Sequence, residues 1–183
     1  MATTSKLLTA EEFMTLPKSD SRQELIRGRI VDVPPPGWPH GRTVSKVDRI
    51  VGGYVDDHGL GDTSAGDSGF VLERGPDTVL APDFAFVSAE RLRRFSGAEG
   101  YPEVAPDLAV EVVSPSDQMR DVMDKASSWI TFGVRLVWIA NPKVRIVTIV
   151  RADGSSETIP PEGQVDGEDV LPGFTCEIRR FFE

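Results

Sequence analysis

Pro106-Asp107-Leu108-Ala109-Val110-Glu111-Val112-Val113-Ser114-Pro115-Ser116 is the stretch on which the reading of this chain turns. A short run of Leu, Ala and Val between prolines predicts a buried strand, and one carboxylate, Glu111, sits in its middle. Upstream, Ala81-Pro82-Asp83-Phe84-Ala85-Phe86-Val87 sets a second acid, Asp83, in similar apolar surroundings. An isolated buried charge is prohibitively costly, so each carboxylate needs a cation, hydrogen-bond donors or a metal. Two acid-bearing strands in one small chain point to a metal site.

Ser114-Pro115-Ser116-Asp117 has the form of a helix start, with Ser114 as N-cap and Pro115 at the first helical position. The helix is expected to run to about Phe132, with Gly133 in the left-handed position beyond it. At ~100° per residue, Met119, Val122, Met123, Ala126, Trp129, Ile130 and Phe132 form one apolar arc, and Lys125 falls inside it. A lysine there must snorkel to an edge or meet a carboxylate. Because the helix follows the Glu111 strand directly, Lys125 is expected to reach back toward that strand.

Asp83, Glu111 and Lys125 then converge. Two carboxylates can hold Mg²⁺ while it keeps several waters. Such a cation lowers the pKa of water and neutralises charge on a phosphoryl oxygen. The lysine can orient the attacking water or stabilise the pentacovalent transition state. This set suits metal-assisted phosphodiester hydrolysis. A Glu111–Lys125 salt bridge without turnover would satisfy the same two residues, and Asp83 after Pro82 could simply cap a turn.

The remaining elements surround this unit. Thr9-Ala10-Glu11-Glu12 reads as a capping box opening a short helix that ends near Pro17. Residues 24–33 read as a hairpin turning at Arg27-Gly28. After a proline-rich loop over 34–39, Val44, Val47, Val51, Tyr54 and Val55 recur at helical spacing between His40 and His58, with Gly59 as the stop. Residues 62–87 read as two or three strands, the last carrying Asp83, followed by a short helical piece over 89–95. Strands over 135–140 and 145–151, joined at Asn141-Pro142, should form a hairpin, since so short a connection cannot serve parallel strands. The tail, through Phe181-Phe182, is expected to pack as a final strand and turn. The order is that of an α/β or α+β fold, a mixed sheet flanked by helices, in one domain over residues 1–183.

The 183 residues, 39% hydrophobic and 27% charged, suffice for one soluble domain with a real core. No apolar run approaches the ~20 residues of a membrane span, and Met1-Ala2-Thr3-Thr4-Ser5-Lys6 lacks the order of a signal peptide. A lone Cys176 excludes an internal disulfide and any CxxC metal site, reads as packing, and sets a cytoplasmic location as the expectation. The net charge of −9 argues against loose, charge-driven binding of nucleic acid. It leaves room for phosphate held through a metal and a local basic strip, although Arg91/Arg93/Arg94 and Arg42/Lys46/Arg49 read first as solvated charge. Asp107 is expected to face solvent, as are Asp121 and Asp124 on their helix. His40, at a helix start, reads as a capping or surface residue with a contact at the site's mouth as the alternative. His58 reads as a helix-end residue, Trp129 and Trp138 as core, and Trp38 as exposed.

Taken together, Pro82-Asp83, the run from Pro106 to Ser116, Asp121, Lys125, Gly133-Val134 and Val137-Trp138-Ile139-Ala140-Asn141-Pro142 closely resemble the Uma2 family, also known as DUF820. That family is a branch of the PD-(D/E)XK restriction-endonuclease-like nucleases. The likeness reaches upstream to Glu24-Leu25-Ile26-Arg27-Gly28 and His40, and downstream to Leu171-Pro172-Gly173-Phe174. The run from Asp107 to Pro115 is its most specific part.

The resemblance implies a restriction endonuclease-like fold and a metal-dependent DNA endonuclease. Asp83 and Glu111 would be metal ligands, with the main-chain carbonyl of Val112 as a third. The motif's lysine should stand two residues after the glutamate, where this chain has Val113. Its function is expected from Lys125 instead, so that Asp83, Glu111 and Lys125 form the catalytic set, with Glu24 and His40 as accessory residues. Mg²⁺ or Mn²⁺ is the implied cofactor, DNA the implied partner, and a 5′-phosphate and a 3′-hydroxyl the implied products. Analogy with restriction-like nucleases adds a homodimer. The alternatives are a catalytically silent binding or dimerisation module of the same fold, and hydrolysis of another phosphoester such as RNA or a nucleotide.

Overall fold

The structure, a computed structural model, describes residues 6–17, 19–66, 68–94 and 100–183. The first five residues, and the end of the helical piece expected over 89–95, lie outside the described residues.

Helix α1 (Ala10–Met14) opens on the expected capping box: the Thr9 hydroxyl accepts from the Glu12 N–H while the Glu12 carboxylate accepts from the Thr9 N–H. Strands β1 (Arg22–Ile26) and β2 (Arg29–Val33) form the hairpin. Its two turn residues, Arg27 and Gly28, have φ of 49° and 73°, the primed turn geometry that matches strand twist. Gly28 has a second reason to be glycine, since a Cβ there would stand 2.7 Å from Leu7 Cβ.

Helix α2 (Trp38–Val47) begins two residues before His40, with Pro39 in its first turn. It continues through a π-helical turn, Asp48–Gly52, into α3 (Gly53–His58), which ends at Gly59 with φ 59°. Four strands follow where two or three were expected: β3 (Gly61–Ala65), β4 (Phe70–Glu73), β5 (Thr78–Leu80) and β6 (Phe84–Ser88). A register shift between Val71 and Glu73 breaks the alternation that would have marked β4. Asp83 lies one residue before β6 instead of within it.

After α4 (Ala89–Leu92) and β7 (Leu108–Val112), helix α5 (Met119–Thr131) starts later than Ser114. The Ser114 N–H donates to Asp117 Oδ2 at 2.7 Å and the Asp117 N–H to the Ser114 carbonyl at 3.0 Å. That local turn competes with the helix and wins. Strands β8 (Leu136–Asn141) and β9 (Ile146–Arg151) form the expected antiparallel hairpin. Strands β10 (Ser156–Ile159), β11 (Gln164–Asp166) and β12 (Thr175–Glu177) follow; β12 is the final strand expected of the tail, and a short helix, α6 (Arg179–Phe182), stands where only a turn was expected.

The central sheet has the order β10-β9-β8-β7-β6-β3. Its β7–β8 pair is parallel, bridged by α5, while the other pairs are antiparallel. The result is the mixed sheet flanked by helices that the sequence predicts. Along each strand successive side chains alternate between two cores. Phe84, Val110 and Trp138 pack with Val47, Val51 and Phe181 on one face. Ala85, Ala109 and Val137 pack with Ala126 and Trp129 of α5 on the other. Alternation from Ala109 carries Glu111 to the α5 face. A second sheet, β2-β1-β5-β4, covers a small core of Ala10, Leu25, Val71 and Val79 and brings β1 beside α5. Among the described residues, no helix is long and apolar enough to cross a membrane.

Candidate active site

Glu111 occupies the penultimate position of β7. Lys125 and Trp129 stand one turn apart on the same face of α5 and both meet it. Trp129 Nε1 donates to Glu111 Oε1 at 2.7 Å, and Lys125 Nζ lies 3.1 Å from Oε1 and 3.2 Å from Oε2. Lys125 Nζ also donates to Glu24 Oε1 at 3.0 Å, tying α5 to β1.

Asp83 is fixed beside β7 through its backbone, whose N–H donates to the Val110 carbonyl at 3.1 Å. Its Oδ2 accepts from the Val112 N–H at 2.7 Å and lies 3.1 Å from His40 Nε2. Its Oδ1 is 3.5 Å from Arg22 Nη1. Arg22 also donates to the Ala81 carbonyl and stands 3.8 Å from Glu24 Oε1. The structure therefore brings Asp83, Glu111, Lys125, Glu24 and His40 into one cleft of about 570 Å³, which Val112 and Arg22 also line. Its rim is formed by residues 33–37 and 114–118.

Glu24, Asp83 and Glu111 are only 6%, 5% and 7% exposed, so their charges are largely removed from bulk water. Burial is the largest influence on Glu111 and pushes its carboxyl up to about 7. Lys125 and the Trp129 hydrogen bond pull the other way, while Asp83 and Glu24 add to the rise. Burial also works against ionisation of Asp83, but His40, the Val112 N–H and Lys125 outweigh it and hold that carboxyl below its usual value. Burial opposes the charge on Lys125 too, and the Glu111 and Glu24 carboxylates overcome it, so the ammonium is raised above its ordinary value. One acid is thus held ionised, a second is poised near neutrality, and a lysine is locked in its cationic form.

Among the described residues, three buried carboxylates here face two side-chain cations, Arg22 and Lys125. Carboxylate oxygens are hard donors of the kind Mg²⁺ and Mn²⁺ take. Among the described residues, no three His, Cys, Asp or Glu side chains already converge as a metal cage. A cation between Asp83 and Glu111 would complete its shell with main-chain oxygen and water, as Mg²⁺ commonly does.

The Uma2 family model, described as “putative restriction endonuclease”, matches residues 10–179. The chain belongs to the Uma2 family. A solved structure, that of “a putative nuclease belonging to DUF820” from Anabaena variabilis, has the same fold, with a TM-score of 0.79 at 20% identity over 96% of this chain and 97% of that one. No curated protein matches the chain.

In this Uma2 chain, the sequence singled out neither Arg22 in the cleft nor the hydrogen-bonding role of Trp129 behind it, and it misplaced Asp107. Arg22 carried no signal beyond being a charged residue beside the hairpin. Trp129 is a core residue, as expected, but its indole N–H also holds Glu111. His40 is buried against Asp83 in the cleft, in keeping with the alternative of a contact at the site and not with the capping or surface role put first. Asp107 does not face solvent: it is 2% exposed, lies 3.2 Å from Arg91 and 3.3 Å from Arg135, and accepts from the Ser88 N–H. Arg91 is accordingly a structural residue, which also donates to the Ala105, Pro106 and Gly133 carbonyls.

Proposed function

We propose that this protein hydrolyses phosphodiester bonds of DNA with Mg²⁺ or Mn²⁺ held by Asp83, Glu111 and the main-chain carbonyl of Val112. The observation that carries the proposal is the meeting in one cleft of Asp83, from the bend before β6, Glu111 of β7 and Lys125 of α5. The donor set fits such a cation: two buried carboxylates with hard oxygens, in a cleft with more acids than cations. Membership of a family described as “putative restriction endonuclease” supports phosphodiester chemistry, as does the fold shared with a nuclease-like neighbour.

When bound, the cation would supply Lewis-acid neutralisation of a phosphoryl oxygen and ease the ionisation of water. The chain's own residues do the rest. The Val112 N–H and His40 aim Asp83, and Trp129 aims Glu111. Glu24 and Glu111 hold Lys125 charged at the cleft wall, where its ammonium can orient the attacking water or meet negative charge developing at phosphorus. In-line attack then leaves a 5′-phosphate and a 3′-hydroxyl.

The test is cleavage of supercoiled plasmid, single-stranded DNA and RNA in Mg²⁺, in Mn²⁺ and in chelator. The expected result is metal-dependent DNA cleavage, abolished in Asp83→Ala and lowered about a hundredfold or more in Lys125→Ala. Cleavage of RNA alone would shift the substrate class. Wild-type rates in Lys125→Ala would sink the lysine's role, and metal binding without any cleavage would favour a silent binding module.

A further inference from the structure

Arg22 is the cleft cation to which the chemistry above gives no task. Its side chain is 15% exposed and lies on the same β1 wall as Glu24. Lys125 sits within 3.0–3.2 Å of its two glutamates, a tight cage. Arg22 is anchored by its Nη2, which donates to the Ala81 carbonyl, while its Nη1 stands 3.5 Å from Asp83 Oδ1, a longer approach than those of Lys125. Charge-assisted pairs with full strength close to about 2.7–2.9 Å. The contact with Asp83 is therefore electrostatic compensation more than a locked bond.

The atom it covers matters. Asp83 Oδ2 already serves the Val112 N–H and His40, which leaves Oδ1 as the oxygen best placed to take a cation. Arg22 and a divalent ion thus compete for one oxygen. A guanidinium displaced from a carboxylate keeps its charge, and its planar fork matches the oxygens of a phosphate. The substrate phosphate is the anion that must enter this cleft in the same step.

Resting on the nuclease reading, we propose that Arg22 is a phosphate ligand held against Asp83 until a divalent cation takes Oδ1, and that it then engages a non-bridging oxygen of the substrate phosphate. Arg22 acts twice: it compensates Asp83 in the metal-free protein and binds substrate in the loaded one. A purely structural arginine would do only the first.

Mn²⁺ titration without DNA, followed by duplex cleavage in Mg²⁺, tests this on wild type, Arg22→Gln and Arg22→Lys. Arg22→Gln should bind Mn²⁺ about tenfold more tightly, because a competing positive charge is gone, yet cleave with kcat/KM reduced about a hundredfold. Arg22→Lys keeps the charge and loses the fork, so it should bind Mn²⁺ within about twofold of wild type and still cleave poorly. Opposite movement of metal affinity and cleavage is the signature. Unchanged or weaker Mn²⁺ binding by Arg22→Gln, or unimpaired cleavage by either variant, overturns the proposal. If Arg22→Gln fails to fold, Arg22→Lys decides alone, by lost or retained cleavage. A wild type that neither binds Mn²⁺ nor cleaves overturns the nuclease reading itself, which the variants are not needed to detect.

Discussion

Raising the pH of the metal-free protein should cost it stability, and Glu111 sets the amount. Burial lifts its carboxyl from 4.5 to about 7, so between those values the native state holds a proton that the unfolded chain has released. Unfolding free energy then falls as pH rises, because the native state binds more protons than the unfolded one. The stability that Glu111 contributes is complete below about pH 4.5 and gone once pH has passed about 7. At about 1.4 kcal/mol per unit, the loss across that window is about 3 kcal/mol.

Urea unfolding in chelator, followed by tryptophan fluorescence from about pH 5 to about pH 8.5, measures it on wild type and Glu111→Gln. The glutamine cannot titrate, so the difference between the two proteins removes the other ionising groups. That difference should shift by about 3 kcal/mol toward the variant as pH rises. Mn²⁺ at about a hundredfold over its Kd should return about 2.7 kcal/mol to wild type at the alkaline end, and less to the variant. A difference that stays flat across the window would refute the picture of a buried carboxylate short of positive charge.

Two further substitutions separate the cleft from the scaffold. Trp129→Phe deletes the 2.7 Å hydrogen bond to Glu111, worth about 1.5–3 kcal/mol for a charged acceptor. Calorimetry should show Mn²⁺ affinity about tenfold weaker at neutral pH and recovering as pH is raised, whereas unaltered affinity would remove Trp129 from the site. Asp107→Ala strands Arg91 and Arg135 beside a 2%-exposed position and should cost about 3 kcal/mol in urea unfolding while leaving Mn²⁺ binding intact. A loss of metal binding in a variant that is still folded would contradict a purely structural Asp107.

What was legible in the sequence lay where one strong local pattern decided the outcome. The aliphatic run around Glu111 could hardly be anything but a buried strand, and an apolar arc interrupted by Lys125 left that lysine either to snorkel to an edge or to meet an acid, and it meets two. The hairpins turning at Arg27-Gly28 and at Asn141-Pro142 followed from turn residues and chain geometry. The failures lie where tertiary partners decide. Asp107 looked like a solvated strand end because Arg91 and Arg135, which bury it, are distant in sequence or separated by the helix. Arg22 acquires meaning only when β1 closes over Asp83, and His40, an accessory residue from the family resemblance alone, is buried there only once α2 packs. Ser114 looked like a cap, but Asp117 closes a turn on it first. Strand β5 is too short, and β4 too irregular, for alternation to reveal either.

The most direct measurement is calorimetric titration of Mn²⁺ into wild type and into Asp83→Ala/Glu111→Ala, each with a short DNA duplex present. The nuclease reading predicts a binding site in wild type that disappears in the double variant while the fold, followed by circular dichroism, is retained. Equal binding by both proteins, or no binding by wild type with duplex present, would contradict it.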